Sequence, residues 1–363
     1  MQLNKIPATV VTGFLGSGKT TLLSNILKQA NGKRIAVIVN EFGELDIDAE
    51  LLRSCPLDCE DENTEDAASS AAVEENGIYE LANGCICCTV EEEFLPVMKQ
   101  LVERRDDIDH ILIETSGLAL PKPLVQAFNW PEIKAHCTVD SVITVIDGPA
   151  VADGRFAHNP DQVEAQRQAD DSLDHDPSLR ELLEDQINSA DLIVVSKNDL
   201  LDEATRGQVE TTVRGRVSDE VKLINVSNGE IASELIMGLE AATEDRIGKV
   251  HTNHDHHHDH GHHHKHAHDD FDSLSIKLGE VDSDKLITII KQLIADNDIY
   301  RAKGFAALPG KPMRQVIQGV GQRIDSYFDR LWQADEARSS GIVLIGKGLD
   351  EASLTASLKA AEV

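Results

Sequence analysis

Residues 13 to 20 read GFLGSGKT, a full match to G-x-x-x-x-G-K-[ST]. The spelling describes a phosphate cradle. Glycines let consecutive backbone N–H groups turn inward, and a helix that follows adds the positive end of its dipole. Lys19 neutralises the β and γ phosphates, and the Thr20 hydroxyl coordinates Mg²⁺. Gly13, Gly16, Ser17, Gly18, Lys19, Thr20 and Thr21 are therefore candidate nucleotide-binding residues, with Lys19 also a candidate catalytic group. The competing reading is a glycine-rich turn that matches by chance. An apolar run before the motif and a helical pattern after it are the context that favours the cradle.

Residues 196 to 199 read SKND, directly after the apolar run DLIVV. GTPases place N-K-x-D at such a strand end, where the Asp accepts from the N1 and N2 hydrogens of guanine, a pair adenine cannot reproduce. Lys197 and Asp199 fit, while Ser196 stands where Asn is usual. A helix cap would use the same residue types. Position after a buried strand, far downstream of the phosphate motif, favours GTP. In ILIETSG (111 to 117), Glu114 ends another apolar run and can hold Mg²⁺, directly or through water, while Gly117 allows a backbone N–H to approach the γ phosphate. NEFGELD (40 to 46) ends a further run, where a nucleotide-sensing switch would sit. Glu41, Glu44 and Asp46 are candidates there for Mg²⁺ or the attacking water, against a solvated acidic turn. Glu44 and Glu114 complete the candidate catalytic set.

GCICC places Cys85, Cys87 and Cys88 within four positions. Thiolates suit Zn²⁺, Cu⁺ and tetrahedral Co²⁺, and three ligands in one loop leave a coordination position open, as an ion that must be released requires. A redox pair or buried apolar cysteines are the alternatives. Cys55 and Cys59 form a looser pair, and Cys137 stands alone as a structural residue. HTNHDHHHDHGHHHKHAH (251 to 268) holds eleven of the fifteen histidines and reads as a weak, multi-site metal buffer. His110, His136, His158 and His175 are isolated, as structural or exposed histidines are.

These groups must be positioned by elements. Residues 6 to 12, 34 to 39, 108 to 114, 141 to 146, 191 to 195 and 221 to 226 read as buried parallel strands, and 19 to 30, 91 to 105 and 178 to 189 as helices. The alternation predicts an α/β P-loop NTPase domain with a mostly parallel sheet over residues 1 to 240. An acidic stretch at 58 to 76 reads as a mobile surface insertion, and 241 to 270 as a histidine-rich linker. Residues 271 to 363 predict a smaller C-terminal α/β domain, with strands at 271 to 278, 300 to 307 and 341 to 345. Helices are expected there at 283 to 295, roughly 320 to 333, and 350 to 361.

The chain of 363 residues carries a formal net charge of −30. That field opposes sequence-independent attachment to nucleic acid or an anionic membrane, and it predicts a client with a basic docking face. No apolar run approaches the roughly 18 residues of a membrane span, and the N-terminus lacks the parts of a secretory signal, so the cytoplasm is the expected location.

GFLGSGKT, NEFGE, NGCICC, ETSGLALPKPLVQAFNW and SKND, read in order, resemble the CobW-type metallochaperone GTPases. The resemblance covers nearly the whole chain, including RAKGF and KPMRQVIQGVG, and looks closest to the branch of cobalamin biosynthesis. It implies a C-terminal domain of the CobW C-terminal type. It also implies GTP and Mg²⁺ bound at Gly13 to Thr20, Mg²⁺ held by Thr20 and Glu114, and guanine read by Lys197 and Asp199. A transition metal, cobalt in the first place with zinc as the alternative, would sit on Cys85, Cys87 and Cys88, and slow GTP hydrolysis would deliver it to a client. The client implied is the cobaltochelatase of the aerobic cobalamin pathway. A P-loop kinase or ATPase and a non-catalytic metal store are the rival readings.

Overall fold

The computed structural model describes residues 5–30, 32–39, 72–75, 78–81, 94–155, 157, 159, 163, 179–218, 220–249, 272–333 and 336–363. They fall into two compact units, one built mostly from the chain before residue 268 and the other mostly from the chain after it.

In the first unit the β-branched, apolar runs become strands: β1 (Ile6–Thr12), β2 (Ile35–Val39), β5 (His110–Glu114), β6 (Cys137–Asp147) and β7 (Leu192–Ser196). Strands covered on both faces need no polar alternation, and these are buried almost throughout. With β3 (Ala72–Glu75), β4 (Ile78–Leu81) and β8 (Lys222–Asn225) they form an eight-stranded sheet in the order β3-β4-β2-β5-β1-β6-β7-β8. β1 runs parallel to β5 and β6, β2 to β4 and β5, and β6 to β7. Only β3 and β4 pair antiparallel among the pairings whose register is described. Residues 72 to 75, read from composition as part of the acidic insertion, are thus drawn into the sheet by pairing with β4.

The chain leaves β1 towards β2 on one side and later reaches β6 on the other. The carboxyl ends of β1, β5 and β6 therefore border a switch point of the topology, the crevice where open α/β sheets take their ligands. Helices α1 (Lys19–Lys28), α2 (Leu95–Glu103), α3 (Pro121–Ala127), α4 (Leu179–Asn188) and α5 (Glu203–Arg214) accompany the sheet. α1 buries Leu22, Leu23, Ile26 and Leu27, the positions its spacing predicts. On α2, Val97, Met98 and Leu101 pack with Phe94, Leu124 and Phe128 against Ala8, Ile38, Ile111 and Ile113. Each of these side chains larger than Ala8 contributes about 1.5–3 kcal/mol by leaving water.

A bulge in the β1–β6 register sets Asp140 apart, since Ala8 pairs with Val139 and Thr9 with Ser141. Its carboxylate accepts from the backbone N–H of Gly238 and of Glu240, each at 2.6 Å, and from Thr9 Oγ1 at 3.3 Å. His110 Nε2 lies 2.9 Å from the same Thr9 hydroxyl. Burial pushes the His110 imidazole below its ordinary value, against the opposing pull of Asp140, with Lys33 adding to the depression. The folded form therefore stays neutral where the unfolded chain, with a pKa of about 6.5, takes up a proton. Stability is complete above that value and falls as the pH drops below it, by up to about 1.4 kcal/mol per pH unit. A His110→Gln variant is expected to show a flatter loss of urea stability between pH 7 and pH 5. Identical acid slopes would show that His110 does not drive that loss.

Cys137 is buried, and burial pushes its thiol up to about 12, as suits an inert structural cysteine.

The second unit is a five-stranded, wholly antiparallel sheet in the order β12-β11-β10-β13-β9. Its strands are β9 (Asp272–Leu278), β10 (Ile299–Ala306), β11 (Met313–Val320), β12 (Arg323–Leu331) and β13 (Ser340–Gly346). Helices α6 (Ser283–Asp296) and α7 (Glu351–Lys359) supply Leu286, Ile290, Ile294, Leu354 and Leu358 to a core with Ile276, Ile317, Ile342 and Leu344. Asp282 caps α6 by accepting from Lys285 N at 2.9 Å.

The helix expected at roughly 320 to 333 is not formed. Ile324, Tyr327, Phe328 and Leu331 have helical spacing, yet the segment is the edge strand β12. A two-residue turn decides it. Val320 pairs with Arg323, and Gly321 between them has φ 56, which matches a hairpin turn with glycine at its first central position. The hairpin leaves Tyr327, Phe328 and Leu331 exposed.

Among the described residues, no helix is long and apolar enough to cross a membrane.

Candidate functional site

The turn after β1 starts with Gly13 at φ 139, and a Cβ there would fall 2.2 Å from the Val145 carbonyl oxygen of β6. Only glycine lets the loop pass so close to the neighbouring strand. Ser17, buried, donates its N–H to Phe14 O at 3.0 Å, closing the loop, and Gly18 precedes α1 with φ 96. Lys19 opens α1 and is 5% exposed, with Nζ donating to Phe14 O at 3.2 Å. The ammonium is thus held inside the loop at the helix N-terminus, where the backbone N–H groups also gather.

Thr20 and Glu114 are 94 positions apart and meet at the site. Thr20 Oγ1 donates to Glu114 Oε1 at 3.0 Å, and Glu114, the last residue of β5, is buried. A hydroxyl and a carboxylate at one point are hard oxygen donors, the set that Mg²⁺ selects. Beyond Glu114 the loop packs on the phosphate turn. A Cβ on Gly117 would fall 2.6 Å from Leu15 N.

The SKND segment closes the other side. Ser196 Oγ donates to Ser17 O at 2.5 Å and to Ile146 O at 3.2 Å, which ties the end of β7 to the phosphate loop. Lys197 adopts φ 57 and sends Nζ to Gly16 O and to Asp147 Oδ2, each at 2.6 Å. Asp199 is exposed, and its Oδ1 accepts from Asn228 N at 3.0 Å. Thr21 faces the same loop, since a Cβ on Gly229 would fall 2.9 Å from Thr21 Cγ2.

Gly13, Gly16, Ser17, Gly18, Lys19, Thr20, Thr21, Glu114, Gly117, Ser196, Lys197 and Asp199 are therefore gathered around one end of the parallel sheet. Glu41, Glu44 and Asp46, together with Cys55, Cys59, Cys85, Cys87 and Cys88, lie outside the described residues. So do the histidine tract, His158 and His175. Among the described residues no cluster of three or more His, Cys, Asp or Glu forms a metal site.

Two members of the site were missed by sequence reasoning. Asp147, 2% exposed, ends β6, pairs with Lys197 and accepts from Ala150 N at 2.9 Å. Its signal was an acidic residue closing the apolar run SVITVID, as Glu114 closes ILIE. Asn228 gave a second signal, the Asn-Gly pair after VKLINVS.

Residues 7–225 match the family described as CobW/HypB/UreG, nucleotide-binding domain, and residues 271–362 match the cobalamin synthesis protein cobW C-terminal domain. The chain is 54% identical over 359 residues to a zinc chaperone CobW of Pseudomonas aeruginosa, covering 99% of this chain and 92% of that protein. It is 48% identical to a zinc chaperone CobW of a Sinorhizobium species, over 98% of this chain and 97% of that protein. It is 28% identical to the zinc chaperone YjiA of Escherichia coli, over 98% of both. With a phosphate loop after the central strand and both domain matches in register with the two units, the chain belongs to the CobW/HypB/UreG family of P-loop GTPases.

Proposed function

We propose that the chain is a GTP-dependent metallochaperone, in which occupancy of a triphosphate pocket controls capture and release of a transition-metal ion. The observation that carries the nucleotide half is the junction of Thr20 with Glu114 beside a phosphate loop clamped by Ser196 and Lys197. In this reading Gly13 to Thr21 bind the phosphates, Lys19 neutralises charge on them, and Asp199 reads guanine after giving up its bond to Asn228. Thr20 and Glu114 would hold Mg²⁺, which when bound supplies positive charge to the phosphate oxygens. Gly117 offers a backbone N–H towards the γ phosphate, and Glu44 stands as a candidate for orienting the attacking water.

The cargo half rests on ligand chemistry. Cys85, Cys87 and Cys88 offer three soft thiolates in one short loop. Zinc is favoured over cobalt at thiolates by the usual affinity order, and two relatives at 48% identity or more carry the name zinc chaperone CobW. The resemblance of Glu114 to Trp130 and of RAKGF to the cobalamin branch supports the second reading, Co²⁺ delivered to a cobaltochelatase subunit.

The test is a titration of the full chain with Zn²⁺ and with Co²⁺, in Mg²⁺ with a slowly hydrolysed GTP analogue or with GDP. Metal affinity is expected to be about 5–150-fold tighter with the triphosphate, and linkage requires the metal to tighten triphosphate binding by the same factor. The coupling is expected to vanish on changing Cys87 and Cys88 to Ser. Equal metal affinity in the two nucleotide states would overturn the proposal. The metal held preferentially in direct competition decides between the two cargo readings.

A further inference from the structure

Gln186 sits on α4 with no exposure to solvent, between the apolar Leu182, Leu183 and Ile187. Its backbone carbonyl accepts from Thr144 Oγ1 of β6 at 2.8 Å, which fixes that turn of the helix to the sheet. Its side-chain Nε2 donates to Gly117 O at 3.2 Å and to Ala119 O at 3.1 Å. Both carbonyls belong to the loop that leaves β5 after Glu114. The same loop abuts the phosphate turn at Leu15. Its start is anchored on β1, where Thr115 N donates to Val11 O at 3.0 Å and Thr115 Oγ1 to Thr12 Oγ1 at 3.0 Å.

Gln186 Oε1 is buried with no hydrogen-bond partner. Burying half of an amide unpaired costs stability, so an apolar residue would serve the core better if packing were the only demand. What the amide supplies is a two-pronged donor that sets the height of the Gly117 to Ala119 backbone above the sheet. A phosphate oxygen is sensitive to that height, because hydrogen bonds weaken steeply with distance and angle.

We infer that Gln186 is a positioning residue for the terminal phosphate: it holds the 117–119 backbone so that the Gly117 N–H can meet the γ phosphate of a bound triphosphate. The inference rests on the nucleotide reading above. It adds a residue 72 positions downstream of Glu114 that acts through the Gly117 and Ala119 carbonyls.

The test uses the full chain, with Gln186→Met, which keeps the volume and removes the donor, and Gln186→Glu, which keeps the shape and faces oxygens towards both carbonyls. Fluorescent GDP and a fluorescent, slowly hydrolysed GTP analogue are titrated against each, with melting of the nucleotide-free protein as the folding check. Gln186→Met is expected to weaken the triphosphate about tenfold and GDP by less than about twofold, as loss of one buried donor predicts. Gln186→Glu is expected to fall at least as far at pH 8 and to recover towards pH 6, where its protonated carboxyl can donate to one carbonyl. An equal loss for both nucleotides, or an unchanged triphosphate affinity in both variants, would overturn the inference. If the unaltered chain bound neither nucleotide, the nucleotide reading itself would fail, and this inference with it.

Discussion

Lys19→Ala is expected to lower GTP hydrolysis by about 10²–10³-fold, the range lost when one preorganised charge-stabilising group is removed from a site of this kind. The ammonium is already in place before any phosphate arrives: it is buried at the head of α1 with Phe14 O as a hydrogen-bond partner. Phosphate oxygens carrying full negative charge would replace that neutral carbonyl. The gain is larger in the transition state, where negative charge develops on the leaving β–γ bridging oxygen beside the lysine. Alanine keeps the helix, having the best intrinsic propensity, and leaves no charge to be buried. Melting of the nucleotide-free variant is therefore expected to change little, while the rise in melting temperature on adding GTP should disappear. Single-turnover hydrolysis with and without Mg²⁺, read beside the melting curves, separates lost chemistry from lost folding. A rate within about threefold of the unaltered chain would remove Lys19 from the machinery.

The largest expected effect on stability is at Asp191, which precedes β7 and is fully buried. Its carboxylate accepts from Val142 N at 2.8 Å and Thr243 Oγ1 at 2.6 Å, and it pairs with Arg246. It thus joins β6 and β7 to the segment around Thr243–Arg246. Nearby, Glu244 accepts from Thr138 Oγ1 at 2.6 Å and Val139 N at 2.9 Å, so that segment is laced to β6 twice. Asp191→Ala removes the acceptor from a backbone N–H, a hydroxyl and a guanidinium at once. Breaking a buried pair from one side costs about 3–5 kcal/mol, because the remaining charge has lost its compensation. Urea denaturation should show the midpoint falling with the slope unchanged. Arg246→Ala should cost a comparable amount, since it leaves the fully buried Asp191 carboxylate with only Val142 N and Thr243 Oγ1 to offset its charge. A loss below about 1 kcal/mol for Asp191→Ala would mean that the pair contributes no more than a surface ion pair.

The elements that could be read from sequence are those whose pattern states its own environment. Runs such as IAVIV and LIVVS have no polar alternation, which only a strand covered on both faces tolerates, and both are interior strands of the sheet. GFLGSGKT specifies its own turn, because the close approach of Gly13 to β6 and the left-handed backbone at Gly18 exclude other residue types. Asp282 before α6 and Asp350 before α7 are local cap signals of the same sort.

What lay beyond the sequence were relations set by strand order. Thr20 meets Glu114 because β5 lies beside β1, and Lys197 meets Asp147 because β7 lies beside β6. No periodicity encodes which strands become neighbours. The segment from Arg323 to Leu331 shows the limit from the other direction. Its helical spacing was real, but a glycine turn and pairing with β11 stabilise a strand, and the backbone bonds of the ladder outweigh a weak intrinsic preference. Residues 72 to 75 were likewise recruited by a partner strand rather than by their own composition. Sequence alone thus determined the phosphate loop, the buried strands and the residue types available for chemistry. Tertiary structure decided which of those residues face one another, because proximity between distant positions is a property of the packed sheet and not of any local stretch of chain.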